Sequence, residues 1–292
     1  MRFEKFEFKN SSGKKIMFTC DGSKLANYFG ANPKAPHFLT PIFFKKEVLD
    51  KYYNKPSEFS VSDGYLSRGI KWGIYIDNNA KDCVMVYLGY LGQLPYKEQQ
   101  YWKLFNTIRG NSSEVSFKRN FKAEFCSPTD HALFFKERLI IFNEKWKKKF
   151  NWDLFRPLNE KDKHHLKTLK VPDKEQKEFD EVVLSLTKII IDSLNVREMK
   201  KGLIFEEKDA SISILDKFLQ QKYRFSFPQL FTFLRNLQNL RSKGSAHTKG
   251  SDYIETYKKF DKGNLSKTFE NILIHSITMI NTIEKGVLNN EK

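Results

Sequence analysis

The residues best suited to chemistry lie together near the end of an apolar helical stretch. Arg241 falls four residues after Leu237 and seven after Leu234, so a continued helix would place its guanidinium on their apolar face. A charge in that position needs an oppositely charged partner or a functional role, because burying an unpaired charge costs free energy. Gly244, which commonly ends a helix, and then His247 follow. A planar Arg can bind phosphate, and a His can exchange a proton near neutral pH.

The spacing of these two side chains sets a geometric condition. Six residues of unbroken helix would leave Arg241 and His247 about 120° apart, so an end or a bend near Gly244 would be needed to bring them together. The region from Lys222 to Lys262 holds nine basic and three acidic residues, an excess that favours binding to a phosphate backbone. The basic residues expected to hold backbone phosphates are Lys222, Arg224, Arg235, Lys243 and Lys249.

A structural interpretation of the same segment remains open. Arg241 could cap the last carbonyls of its helix or pair with Asp252 or Glu255, and His247 could be a hydrogen-bonding structural residue.

The composition indicates a folded protein with a polyanionic partner. The chain has 292 residues, 40% of them hydrophobic, with 51 Lys and Arg against 35 Asp and Glu and a formal net charge of +16. It is long and apolar enough to build one or two cores. The charge suits nucleic acid or acidic lipid headgroups.

Several other classes of protein are not indicated. The three cysteines, Cys20, Cys83 and Cys126, are widely spaced, so we expect no disulfide framework, no zinc site and a reducing, cytoplasmic location. The amino end lacks an apolar signal region, and no apolar run is long enough for a membrane span. The adjacent His164 and His165 cannot face one side of a helix, so we interpret them as a solvated basic segment. We expect no metal and no cofactor.

Residues up to about Ser127 predict an α+β domain. The strand-like segments are Lys15–Cys20, Trp72–Ile76 and Cys83–Leu88, and Asp77–Asn79 supplies turn residues that favour a hairpin between the last two. Helices are expected at Lys46–Tyr53 and Tyr96–Phe105.

From about Asp130 the pattern becomes helical throughout. It begins with His131–Phe150, and a stretch with Pro157 and Pro172 follows. Four amphipathic helices then predict a compact bundle. We therefore expect an α+β recognition or sensor domain at 1–155, a linker at 156–172 and an all-α four-helix bundle at 173–292.

The segment from Leu234 to Gly250 resembles the signature of the HEPN superfamily. These are small helical-bundle domains marked by an Arg, usually a polar residue, and a His four to six positions beyond the Arg. Arg241, Ser242 and His247 match this order, after the third helix and before the last. The resemblance covers about residues 173–292. It departs from the commoner pattern at Ser242, where Asn, Asp or His is usual, and at Lys249, where some members have a Tyr.

The resemblance implies an activity. Many members are metal-independent endoribonucleases that act as dimers, with two Arg and His pairs facing each other across the interface. It thus implies RNA as a partner, a homodimer, and a catalytic site of Arg241 and His247 with Ser242 in a positioning role. In bacteria it implies a toxin or an antiphage-defence effector.

Two other functions remain as alternatives. The first is a non-catalytic nucleic-acid- or protein-binding HEPN adaptor subunit, which would assemble with a larger effector or regulatory protein. The second is a stand-alone DNA-binding protein. In the first half of the chain, most aromatic residues are expected to lie in the core. As alternatives, some of them could stack on unpaired bases, or this half could be a sensor domain.

Overall fold

The chain folds into two compact units, Met1–Asp130 and His131–Lys292. A computed structural model of the protein describes residues 2–80, 82–173, 175–244 and 251–289. Each unit has its own hydrophobic core. None of the helices in these ranges combines the length and apolar character that crossing a membrane requires.

The first unit contains both strands and helices. Its strands are β1 (Lys5–Lys9), β2 (Lys15–Thr19), β3 (Pro41–Lys45), β4 (Ser60–Val61), β5 (Tyr65–Arg68), β6 (Trp72–Tyr75), β7 (Cys83–Tyr87) and β8 (Asn106–Thr107). Its helices are α1 (Asp50–Tyr53), α2 (Leu88–Leu91), α3 (Tyr96–Lys103) and α4 (Glu114–Phe121). The strands form antiparallel sheets in the orders β1-β2, β7-β3-β8 and β4-β5-β6.

Alternating burial explains why the strands form. Phe6 and Phe8 of β1 are buried between charged neighbours, as expected for a strand with one face on a core. Around Trp102 the core is held by both packing and polar contacts. Its ring meets Phe44 edge to face with centroids 4.7 Å apart, and its Nε1 donates to the Tyr52 hydroxyl at 2.8 Å.

The strands β6 and β7 do not form the predicted hairpin. β6 pairs with β5 and β7 pairs with β3, so the two strands belong to different sheets. A single antiparallel bridge joins Asp77 to Met85. Asp77, one of the predicted turn residues, instead accepts hydrogen bonds from Ser113 through its carboxylate. The hairpin prediction was therefore wrong, although both strands are present.

The described residues of the second unit form helices and the segments between them, with one isolated bridge from Phe155 to Leu194. Its helices are α5 (His131–Phe150), α6 (Lys163–Thr168), α7 (Gln176–Thr187), α8 (Val196–Met199), α9 (Ser211–Tyr223), α10 (Pro228–Gly244), α11 (Ser251–Lys258) and α12 (Leu265–Ile283). Two π-helical turns, Lys188–Asp192 and Glu284–Leu288, continue α7 and α12. The predicted helical character of this half and the bounds of α5 are confirmed.

The division between the units differs from the predicted linker at 156–172. Helix α5 packs against α12, and its Phe142 and Trp146 are fully buried in the core of the second unit. Leu169, inside the expected linker, is also buried there. Helix α5 is a fifth long helix in this core, so the four predicted helices do not form the core by themselves.

Candidate functional site

Helix α10 presents Arg241 at the edge of its buried face. Leu234, Leu237 and Leu240 are buried, whereas the Arg241 side chain is 31% exposed. The buried apolar face of α10 therefore includes Leu240. The guanidinium of Arg241 lies at the edge of this face and is partly exposed to solvent. The description of α10 extends to Gly244, the residue before the segment 245–250 that the structure does not describe.

The partner of Arg241 is Asp192, at the end of the π-helical turn after α7. Nη1 of Arg241 lies 3.1 Å from Oδ2 and 3.3 Å from Oδ1 of Asp192. This contact orients the guanidinium through its Nη1. The sequence analysis did not identify Asp192, because 49 residues separate the two side chains.

Asp192 also lines a cavity of about 200 Å³ in the second unit. The cavity walls carry two further cations, Arg156 and Lys188. The complete lining is Arg156, Pro157, Leu158, Asn159, Asp162, Lys188, Asp192 and Ser193. Arg241 is thus bound to a wall residue of a small polar cavity that already contains basic groups.

The two cations of the cavity are held by their neighbours. Nη2 of Arg156 donates to the Asp192 carbonyl at 3.3 Å, and Nζ of Lys188 donates to Asp162 at 2.6 Å. The hydrogen bond from Lys188 lowers the pKa of Asp162, so this carboxylate is ionised at neutral pH. The site is a network of three cations and two carboxylates, which can bind an anion such as phosphate in a defined geometry.

His165 lies beside this network and is buried, so its interpretation as part of a solvated segment was wrong. Its Nδ1 is 2.9 Å from the Ser185 hydroxyl, and its Nε2 is 3.6 Å from Oδ1 of Asp162. Burial lowers its pKa to about 4, with a smaller contribution from His164 and Lys188. The ring is neutral at pH 7 and joins α6 to α7, which is a structural role.

The proposed catalytic residues differ in how far the structure describes them. His247 and Lys249 lie outside the described residues, as does the side chain of Lys243. Ser242 is exposed, and its hydroxyl donates to the Gln238 carbonyl at 2.9 Å, within its own helix. Of the two predicted catalytic residues Arg241 and His247, the structure therefore describes Arg241.

The remaining predicted phosphate-binding residues are exposed but not gathered around Arg241. Lys222 and Arg224 lie at the end of α9, just before α10 begins at Pro228. About 20 Å of helix separates Pro228 from Arg241. Arg235 is about one and two-thirds turns before Arg241 and about 120° around the same helix. These cations can contact an extended polyanion, whereas a single phosphate would not reach all of them.

No metal-binding group of three or more His, Cys, Asp or Glu side chains is present among the residues that the structure describes. Comparison of the chain with protein-family models, with curated proteins and with solved structures gives no match. The functional argument accordingly rests on the site itself.

Proposed function

We propose that the protein is a metal-independent endoribonuclease of the HEPN type that acts in the cytoplasm. The observation that carries the proposal is the position of Arg241. It lies on a core helix, is partly exposed, and is paired with Asp192, which lines a cavity together with Arg156 and Lys188. A phosphate bound there would meet a preorganised Arg, which is what stabilising a developing phosphorane requires.

In the proposed reaction, RNA supplies its own nucleophile. The 2′-hydroxyl attacks the adjacent phosphorus as one His247 removes its proton, and the bond from phosphorus to the 5′-oxygen breaks as a second His returns a proton to that oxygen. The products are a 2′,3′-cyclic phosphate and a 5′-hydroxyl. Arg241 offsets the charge on the phosphorane oxygens, and a His with an ordinary pKa near 6.5 can take either proton.

The need for two proton transfers favours a homodimer. Each chain contributes one His at this motif, so two copies related by a two-fold axis would provide the second. We place Lys243 and Lys249 along the RNA backbone near the site, and Arg235, Lys222 and Arg224 farther along it. Ser242 would support the end of α10 through its bond to Gln238. As a bacterial protein of this type, it would act as a toxin or antiphage-defence effector.

The test is cleavage of total RNA in the presence of EDTA by the wild-type protein and by single variants. We expect cyclic-phosphate ends, and a loss of about 100-fold or more in rate for His247→Ala and for Arg241→Ala. Arg241→Ala should change the free energy of unfolding by no more than about 1 kcal/mol, because the ion pair is partly exposed.

Arg197→Ala is the matched control, since Arg197 is an exposed arginine of the same unit. It should cleave at the wild-type rate. The proposal is wrong if His247→Ala or Arg241→Ala also cleaves at that rate.

A second candidate is supported by the same ion pair. Asp192 offsets the charge of Arg241, which suits a non-catalytic bundle that binds RNA or a partner protein within a larger defence complex. This alternative predicts no cleavage by the wild type and RNA binding that is unchanged in His247→Ala. The Asp192→Asn variant separates the two, because freeing Arg241 should strengthen RNA binding in the adaptor and misplace the guanidinium in the enzyme.

A further inference from the structure

A cavity of about 310 Å³ lies in the first unit. It is formed by residues from the β4-β5-β6 sheet, from β7 and from α4. Its volume falls at the lower end of the range of small-molecule sites and suits one small planar group. The residues that matter for its chemistry are Asp63, Tyr65, Tyr75, Tyr87, Arg119 and Asn120.

One wall of the cavity is aromatic and accessible. The side chains of Tyr65 and Tyr75 are 41% and 62% exposed, although both are large and partly apolar. Their ring centroids are 5.2 Å apart at 63°. The Tyr65 ring packs directly over Gly73, where a Cβ atom would lie 2.2 Å from the Tyr65 hydroxyl oxygen. Gly73 thus holds Tyr65 in place, and Tyr75 offers an exposed ring for stacking.

The opposite side of the cavity carries fixed polar groups. Arg119 donates to the Asp63 carboxylate and to the Cys126 carbonyl, so its guanidinium cannot swing freely. Side-chain exposure is 29% for Arg119 and 17% for Asp63, which leaves both accessible. A guanidinium has five N–H donors and a carboxylate accepts more than one hydrogen bond. The pair therefore presents a donor next to an acceptor.

Further hydrogen bonds hold this polar side rigid. Nδ2 of Asn120 donates to the Ser116 hydroxyl at 3.0 Å, and Asn120 also bonds to Tyr87. Burial raises the pKa of Tyr87, so its hydroxyl stays neutral. Such preorganised groups lose little entropy when a ligand binds.

The charges of the cavity argue against a bare phosphate. Its lining contains one cation, Arg119, and two carboxylates, Asp63 and Asp77. Asp77 is 2% exposed and accepts hydrogen bonds from the Ser113 amide and hydroxyl and from the Asn79 amide. It is therefore part of the cavity floor. The remaining accessible chemistry suits a neutral planar ring whose edge has donors and acceptors.

We propose that this cavity binds one unpaired nucleobase, with guanine preferred. The ring would stack on the exposed Tyr75, as bases do on aromatic side chains, with the Tyr65 ring against its edge because the two tyrosine planes meet at 63°. The edge of guanine that carries O6, N1–H and the N2 amino group places an acceptor next to two donors. Arg119 matches the acceptor and Asp63 matches the donors. The base can come from a free nucleotide or from single-stranded RNA, and the proposal does not depend on cleavage by the helical unit.

The experiment is equilibrium binding to the full chain, with GMP, AMP, CMP and UMP as separate probes. We expect GMP to bind most tightly. Tyr75→Ala should weaken GMP binding about tenfold, the usual effect of losing one stacking partner. Asp63→Asn should remove the preference for GMP over AMP. Tyr28→Ala is the matched control, since Tyr28 is a 79% exposed tyrosine of the same unit outside the cavity, and it should bind GMP like the wild type.

A second arm identifies the source of the base. Single-stranded oligonucleotides with or without guanine, and a duplex, are titrated into His247→Ala protein so that cleavage does not interfere. If GMP binds, a free nucleotide is sufficient to occupy the cavity. Binding only of guanine-containing single strands, lost in Tyr75→Ala, assigns the site to RNA. The proposal is overturned if no probe binds, if the four mononucleotides bind equally, or if binding is the same in Tyr75→Ala and the wild type.

Discussion

His165 is a buried neutral imidazole whose four polar neighbours act on it in different directions. Its Nδ1 contacts the Ser185 hydroxyl, which suits a neutral ring. His164 and Lys188 lower its pKa by repulsion, and the Asp162 carboxylate raises it less than burial lowers it. The result is a ring whose pKa of about 4 in the folded protein lies below the 6.5 of an exposed His.

This difference predicts a loss of stability in acid. Between pH 6.5 and pH 4 the unfolded chain binds a proton at residue 165 and the folded chain does not, so the free energy of unfolding falls as the pH falls through this window. We expect a contribution on the order of 2 kcal/mol, checked by urea unfolding at several pH values. His165→Asn should show a shallower pH dependence.

His164→Asn is the control for this measurement, because His164 is the exposed member of the pair. It should retain most of the wild-type dependence on pH, because burial, and not repulsion by His164, is the largest cause of the lowered pKa of His165. An unchanged slope in His165→Asn would mean that another group is responsible.

Sequence reasoning could find some of these residues and not others. Arg241 was found because a charge followed an apolar stripe, a signal that is local. Asp192 and Arg156 gave no comparable signal, since each becomes part of the site only when distant segments pack together. His165 was misjudged because its burial depends on α7, which begins well beyond it.

At the scale of elements, Asp77 connects a strand edge to the start of α4. Ser113 caps α4, with its hydroxyl accepting from the Ser116 amide, and Asp77 in turn binds both the amide and the hydroxyl of Ser113. The same carboxylate holds the Asn79 amide. The buried Asp77 side chain therefore holds the N-cap of α4 in place. It also holds the segment between β6 and β7, which was predicted to be a hairpin turn.

Removing that carboxylate should destabilise the first unit. Asp77→Ala leaves several buried donors without an acceptor, and we expect a loss of about 2–4 kcal/mol in the free energy of unfolding. Asp77→Asn keeps one acceptor oxygen and should lose less. Chemical denaturation followed by circular dichroism measures both. Equal stability of the wild type and Asp77→Ala would show that the cap does not need this residue.

The long helices and three of the strands, β2, β6 and β7, were predictable, whereas the pairing of the strands was not. The bounds of α5 and the apolar face of α7 follow from local periodicity. The strand β7 pairs with β3, far from it in the sequence, and the alternation of neither strand indicates this partner. The π-helical turns were equally hidden, because their residues continue an ordinary helical pattern.

At the scale of the whole molecule, each unit has a core of its own, and both carry more Lys and Arg than Asp and Glu. A basic excess in both units allows each of them to contact nucleic acid. The proposed RNA site and the proposed nucleobase site would then lie in different units, which makes them separable by experiment.

The division between the units can be tested with fragments. Fragments 1–130 and 131–292 should each unfold cooperatively on heating, because each keeps its core intact. A fragment 156–292 lacks α5 and with it the buried Phe135, Phe142 and Trp146, so it should not fold cooperatively. Circular dichroism and calorimetry provide the measurements. Equally cooperative unfolding of 156–292 would place the boundary in 156–172, where the sequence analysis expected it.

The π-helical turn at Lys188–Asp192 has a consequence for the length of α7. A π turn closes its hydrogen bonds over one residue more than an α turn, so it stores a surplus residue within an otherwise continuous helix. A deletion of one residue there would let the helix rewind as an α-helix, and because the residue removed is the surplus one, Asp192 would keep its direction and its contact with Arg241. A deletion within the α-helical part of α7 removes no surplus residue. It would rotate Asp192 by about 100° relative to the apolar face before it and separate the carboxylate from the guanidinium.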